Sequence, residues 1–174
     1  MCGIIGYVGS DEVVPVLLDG LRRLEYRGYD SAGMAVMGAE EIGILRASGK
    51  LHHLEQRAYH EPLHGSVGIG HTRWATHGAP TEANAHPQTD ADGQVAVVHN
   101  GILENYGDLR HELLRAGVEL RSDTDTELIA QLLGREEGAM VQRVRAILPR
   151  LEGQYAVVAV HRAEPEAVVA FRNG

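Results

Sequence analysis

The sequence predicts an α+β fold, in which strands and helices form separate layers. Its 174 residues are enough for about one domain, since domains of ~150 residues are typical. Apolar residues make up 44% of the chain, which is usual for a globular protein and excludes general disorder. Strand-like and helix-like segments follow one another without the regular alternation that builds a doubly wound parallel sheet.

The first half of the chain predicts four strands and two helices. Leucines at helical spacing predict a helix over 13–24, with Asp11 as its N-cap and Pro15 in its first turn. A shorter helix is expected at 50–57, and the polar, glycine-punctuated stretch 25–33 is expected to be a loop. Runs of apolar residues predict strands at 3–8, 35–37, 42–46 and 67–72.

After these elements comes an unusually long predicted loop, 73–87, and loops of that length are usually functional. Asn100-Gly101 signals a turn directly after a strand. Thr124 and Glu127 have the spacing of a capping box and open a helix. The remaining elements are strands at 95–99, 154–161 and 167–171 and helices at 103–115 and 139–148.

Composition and charge restrict the possible functions. The net charge of −8 argues against binding to nucleic acid, which requires a basic surface. The apolar runs are far shorter than the ~20 residues of a membrane span, and no signal peptide is evident. A single cysteine allows no internal disulfide. We therefore expect a cytoplasmic protein that contacts no membrane.

The only cysteine, Cys2, is the second residue of the chain. Removal of Met1 would leave Cys2 with a thiol and a free α-amine on adjacent carbons. The ordinary pKa of an α-amine is about 7.7–8.0, so part of this amine is neutral near pH 7 and can activate the thiol as a nucleophile. The alternative is an inert cysteine that enters a strand as a small apolar residue.

Other residues would suit attack of this thiol on an acyl carbon of an amino-acid substrate. Asn100 and Gly101 offer the N–H donors of an oxyanion site, although Asn-Gly is also an ordinary turn. The guanidinium of Arg73 suits a carboxylate. Asp125 could hold an ammonium group, or serve only the dipole of the helix that it opens. Trp74, in the long loop, is either a lid or a buried anchor.

The start of the chain, Met-Cys-Gly-Ile-Ile-Gly, resembles the N-terminal-nucleophile (class II) glutamine amidotransferases. Within that class, four further blocks resemble the glucosamine-6-phosphate synthase family, also called glutamine–fructose-6-phosphate aminotransferases. These blocks are LRRLEYRGYDSAG at 21–33, GHTRWATHGAPTEANAHP at 70–87, VVHNGILEN at 97–105 and SDTDTE at 122–127.

The resemblance implies a glutaminase, which hydrolyses the side-chain amide of L-glutamine through a cysteine thioester. Cys2 matches the family nucleophile, and Asn100 and Gly101 match the oxyanion positions. Arg73 matches the residue that binds the α-carboxylate of glutamine, and Asp125 the residue that binds its α-ammonium. No cofactor and no metal ion are implied. The implied fold is the four-layer αββα sandwich of the N-terminal-nucleophile hydrolases.

The resemblance assigns roles to four more residues around the same site. Thr76 and His77 match loop positions that contact glutamine, Trp74 matches the gate to an ammonia channel, and Arg27 matches a residue that orders the N-terminus. In the family, a sugar isomerase half that binds fructose 6-phosphate follows this domain. We therefore expect residues 1–174 to be a C-terminally incomplete glutaminase domain of a homo-oligomeric enzyme that makes glucosamine 6-phosphate, with the isomerase domains absent.

Three alternatives stand beside this interpretation. His60-Glu61-Pro62-Leu63-His64 matches the H-E-x-x-H motif of zinc hydrolases, but Pro62 would break the helix that must carry both histidines. The chain could also be a non-catalytic module that binds glutamine or a partner chain, because function depends on a completed site rather than on a fold. Finally, a glutaminase of this kind could supply ammonia to a different acceptor.

Overall fold

The chain folds into two antiparallel four-stranded sheets that pack face to face, with helices on both outer faces. The computed structural model describes residues 2–74 and 78–174. This arrangement is the αββα sandwich that the family resemblance implies. Within the described ranges, no helix combines the length and the apolar character needed to cross a membrane.

The first sheet has the strand order β1-β4-β2-β3 and is covered on its outer face by two helices. The strands are β1 (Gly3–Val8), β2 (Ser31–Met37), β3 (Ile42–Ser48) and β4 (Val67–Arg73). The helices are α1 (Val13–Leu24) and α2 (Leu51–His60). The bounds predicted for β1 and α1 are confirmed. Leu17 and Leu21 of α1 are fully buried against the sheet, as their helical spacing predicts.

The second sheet has the strand order β5-β6-β7-β8 and carries three helices on its outer face. The strands are β5 (Gln88–Thr89), β6 (Val95–Leu103), β7 (Gly153–His161) and β8 (Val169–Asn173). The helices are α3 (Tyr106–Arg115), α4 (Asp125–Arg135) and α5 (Met140–Ile147). The sequence did not predict β5, which has only two residues.

The layer between the sheets is formed by alternate residues of the facing strands. Val67 and Ile69 of β4 pack there against Ala96 and Val98 of β6. The residues between them on β6, such as Val97, face the helices instead. Because side chains of a strand alternate between its two faces, this pattern also decides which residues further along β4 and β6 point between the sheets.

The turn predicted at Asn100-Gly101 is wrong, because β6 continues through both residues to Leu103. Gly101 has a φ of 134° inside the strand, where it pairs with Tyr155. A Cβ atom at Gly101 would lie 2.2 Å from the main-chain oxygen of Gln154. The glycine therefore permits a close approach of β7 rather than a reversal of the chain.

Two other local predictions also need correction. The loop expected over 25–33 is shorter, since a 3₁₀ turn spans Glu25–Arg27 and β2 begins at Ser31. All seven residues of β2 are buried, and the strand pairs with β3 on one side and with β4 on the other. This tertiary pairing outweighs the low strand propensity of its small and polar residues. The N-cap of α1 is Glu12 rather than Asp11, and it makes no side-chain cap.

The start of α4 is held by two buried side chains. The hydroxyl of Thr124 accepts a hydrogen bond from the main-chain N–H of Glu127, which is one half of the predicted capping box. The other half is not formed, because the N–H of Thr124 donates to the Ser122 hydroxyl instead. The carboxylate of Glu127 accepts hydrogen bonds from the N–H groups of Arg121 and Ser122 at 2.7 Å, and from the Ser122 hydroxyl at 2.8 Å. Glu127 thus fixes the loop that leads into α4.

We expect Glu127→Ala to lower the free energy of unfolding by about 2–4 kcal/mol, because the change leaves several donors without their acceptor. Urea unfolding followed by circular dichroism measures this value. The control Glu119→Ala removes an exposed carboxylate of the same loop and should change stability by less than ~0.5 kcal/mol. Equal stability of the two variants would contradict the anchoring role of Glu127.

Candidate active site

A cavity of about 370 Å³ brings together seven of the residues that the sequence predicts for the site. Two strands that contribute to its wall, β4 with Arg73 and β6 with Asn100, extend the inter-sheet layer, where apolar side chains give way to polar ones. The predicted residues that line it are Cys2, Arg27, Arg73, Trp74, Asn100, Gly101 and Asp125. Thr76 and His77, which were also predicted to bind glutamine, lie outside the described residues.

Cys2 directly precedes β1, and its sulfur is held by the end of the neighbouring strand. The antiparallel register pairs Gly3 with Thr72 and thereby brings Cys2 next to Arg73 and Trp74. The main-chain N–H of Trp74 donates to Cys2 Sγ at 3.1 Å. Cys2 is only partly buried, so the thiol is held in place and remains open to the cavity.

Asn100 and Gly101 lie on β6 where this strand leaves the buried layer. Asn100 continues the alternation of Ala96 and Val98, so its side chain faces the first sheet. Its Nδ2 atom donates to the main-chain oxygen of Cys2 at 3.2 Å. Asn100 therefore contacts the main chain of Cys2, and Asn100 and Gly101 line the same cavity as the thiol, although both are part of a strand.

Arg73 and Asp125 give the cavity one cationic and one anionic group. Arg73 is 4% exposed, and burial lowers the pKa of its guanidinium, while the charges of Cys2 and Asp125 act in the opposite direction. Its Nη atoms donate to the main-chain oxygens of Gly78 and Ala79. Asp125 is 5% exposed, and its Oδ2 accepts a hydrogen bond from the N–H of Leu103 at 3.0 Å.

Aromatic side chains lie at the mouth of the cavity. Trp74 is 45% exposed and packs edge to face against Tyr29, with ring centroids 5.6 Å apart. It is therefore a partly exposed cover rather than a buried anchor. Arg27 also lines the cavity, and its guanidinium binds the hydroxyl and the ring of Tyr26.

Three buried histidines and a threonine also belong to this region, and the sequence analysis assigned them no role in the site. His86 and His99 line the cavity, whereas His71 and Thr126 lie behind its lining residues. His71 Nε2 contacts Asn100 Oδ1 at 2.8 Å, and its ring packs on that of His86. The hydroxyl of Thr126 contacts His86 Nε2 at 2.9 Å and His99 Nδ1 at 3.2 Å. The alternation of side chains along β4 could have placed His71 near the site, because Ile69, His71 and Arg73 share one face of the strand.

The structure argues against the zinc motif. Helix α2 ends at His60, and Pro62 and His64 follow it, so the two histidines do not share a helix face. Across residues 2–74 and 78–174, no group of three or more His, Cys, Asp or Glu side chains is placed to hold a metal ion.

The arrangement combines a thiol with hydrogen-bond donors beside it and with charges of both signs in one small cavity. A substrate carboxylate can bind near Arg73 and an ammonium group near Asp125. Such a site can hold a small amino acid and present its side chain to Cys2 for acyl transfer.

Residues 71–173 match the model of the glutamine amidotransferase domain family. The chain is 52% identical over 173 residues to a glutamine–fructose-6-phosphate aminotransferase (isomerizing) of Symbiobacterium thermophilum. It is 53% identical over 171 residues to the enzyme of the same name from Thermus thermophilus. These alignments cover 99% and 98% of the chain but only 28% of either relative.

A solved structure with a similar fold is the glutamine phosphoribosylpyrophosphate amidotransferase of B. subtilis. Its TM-score is 0.80 at 26% sequence identity, and the match covers 93% of this chain and 35% of that one. This likeness supports the sandwich architecture.

The buried histidines should make stability depend on pH. Burial lowers the pKa of His71 to about 3 and that of His86 well below 6.5. Between these values and 6.5 the unfolded chain binds more protons than the folded chain, so the free energy of unfolding should fall as pH falls below about 6.5. Each histidine contributes up to about 1.4 kcal/mol per pH unit.

Urea unfolding at several pH values between 7.5 and 5 measures this dependence. His71→Gln should reduce the slope, whereas His111→Gln, at an exposed position, should leave it unchanged. Identical slopes in all three proteins would contradict the assignment of a neutral, buried His71.

Proposed function

Because the chain belongs to the glutamine amidotransferase domain family, we propose that it hydrolyses the side-chain amide of L-glutamine with Cys2 as the nucleophile. The observation that carries this proposal is the single cavity shared by the thiol of Cys2, the cation of Arg73 and the anion of Asp125. These groups match the chemistry of an α-amino acid whose side chain ends in an acyl group.

In the first half of the reaction, Cys2 Sγ bonds to the amide carbon of glutamine. The oxygen of the tetrahedral intermediate accepts hydrogen bonds from Asn100 Nδ2 and the N–H of Gly101. The C–N bond then breaks, and ammonia leaves with the proton that the α-amine of Cys2 took from the thiol. In the second half, water attacks the thioester, which releases glutamate and restores the thiol.

This mechanism requires removal of Met1, since a peptide bond would deprive the nitrogen of Cys2 of its basicity. The α-carboxylate of the substrate binds Arg73 and its α-ammonium binds Asp125. Thr76 and His77, which lie outside the described residues, are the further residues proposed to contact glutamine. Trp74 gates the path of ammonia, and Arg27 helps to order the N-terminus.

The acceptor of the ammonia would lie outside these residues, because the chain spans 28% of the length of the curated relatives. The names of these relatives support fructose 6-phosphate as the acceptor and a sugar isomerase domain as the partner. As the resemblance of the sequence implies, we further propose a homo-oligomeric, cytoplasmic enzyme that makes glucosamine 6-phosphate. On this proposal residues 1–174 belong to the glutaminase domain.

Cys2 should react once with a glutamine-like electrophile, and Cys2→Ala should abolish both this reaction and glutamine hydrolysis. Intact mass with and without the electrophile measures the reaction and shows whether Met1 is present. Full activity with Met1 retained would contradict the role of the α-amine. Substantial activity of Cys2→Ala would mean that another group is the nucleophile.

Arg73→Ala should raise the KM for glutamine by roughly 30- to 900-fold, which corresponds to about 2–4 kcal/mol for the loss of one member of a desolvated charge pair. Steady-state release of glutamate measures this change. The control Arg145→Ala removes an exposed arginine of α5 and should leave KM unaltered. An unaltered KM in Arg73→Ala would refute carboxylate binding at this position.

A further inference from the structure

The side chain of Asn100 can serve as an oxyanion donor in only one of its two orientations. Its carboxamide has a donating NH2 at one end and an accepting oxygen at the other. Rotation by 180° would direct the oxygen instead of the N–H bonds toward the negative charge of the intermediate. Some other group must therefore fix the orientation, and this requirement rests on the proposed glutaminase function.

The contacts of Asn100 define its orientation. The main-chain oxygen of Cys2 can only accept, so the group that faces it at 3.2 Å is the NH2. The opposite end, Oδ1, then faces His71 Nε2 at 2.8 Å. Because Oδ1 also only accepts, His71 Nε2 must carry a proton and donate it. The NH2 has two N–H bonds, so the contact with Cys2 leaves the second for a substrate oxygen.

His71 itself is held rigidly. Its side chain is fully buried on β4, and its ring packs on His86 with centroids 4.3 Å apart. His86 is fixed in turn by the hydroxyl of Thr126 at the start of α4. His71 and Asn100 belong to different sheets, so their hydrogen bond crosses the inter-sheet layer just below the cavity.

We propose that His71 is a positioning residue for amide hydrolysis, which fixes the carboxamide of Asn100 with its NH2 toward the reacting carbon. His71 is not among the described residues that line the cavity, so it acts through Asn100 and not on the substrate. Its loss should therefore reduce kcat and leave KM for glutamine nearly unchanged, because the head group of glutamine is bound elsewhere.

Two isosteric variants of His71 separate this role from packing. The amide nitrogen of Gln can replace Nε2, whereas that of Asn replaces Nδ1 and does not reach Asn100. We expect His71→Gln to keep kcat within about fivefold of the wild type. His71→Asn should lower kcat by roughly 10- to 100-fold, which approaches the loss of one oxyanion donor, with KM changed by less than about threefold.

The double variant tests whether His71 acts through Asn100. In an Asn100→Ala background, His71→Asn should change kcat by less than about twofold, because the group that it orients is already absent. An undiminished kcat in His71→Asn, or a full additional loss in the double variant, would overturn the proposal. A wild-type chain without glutaminase activity would overturn the proposed function, which is a different result.

A measurement on the unmutated chain decides the matter even if the buried variants fail to fold. Long-range ¹H–¹⁵N spectra of the histidine rings report which nitrogen carries the proton. We expect His71 to be the neutral Nε2–H tautomer at pH 7. The Nδ1–H tautomer would leave Nε2 unable to donate to Asn100 and would overturn the proposal independently of any activity.

Discussion

The packing of two antiparallel sheets face to face is the constraint on which the site depends. Alternate residues of the facing strands form an apolar layer, and at one end of the molecule the same alternation continues with polar side chains. On β4 this series leads from Ile69 to His71 and Arg73, and on β6 it leads from Val98 to Asn100. The strand registers that build the core therefore also bring the charged and hydrogen-bonding groups together.

The site also requires the main chain to approach closer than side chains would allow. A Cβ atom at Gly28 would lie 2.7 Å from the carbonyl carbon of Arg73 and 2.9 Å from the nitrogen of Trp74. That nitrogen is the donor that holds the sulfur of Cys2. At Gly101, β7 passes so near that only glycine fits. Both glycines therefore position backbone groups of the site without contributing a side chain to it.

The sequence predicted most of the elements and seven of the cavity residues, because hydrophobic periodicity and the chemistry of the blocks are local signals. It did not predict that β6 continues past His99, since Asn100-Gly101 favours a turn unless a neighbouring strand imposes extension. It also could not predict the contact of His71 with Asn100, which joins residues of two sheets. Contacts of this kind depend on sheet packing, about which local pattern says nothing.

Because His71 is buried, the orientation of the Asn100 side chain does not depend on the pH of the solution. Because burial lowers the pKa of His71 to about 3, its ring is neutral near pH 7. Even a protonated ring would still donate from Nε2, so the contact with Asn100 Oδ1 survives in both charge states. An oxyanion donor held by a neutral, buried imidazole is ready before the substrate arrives, which is the condition for electrostatic preorganisation.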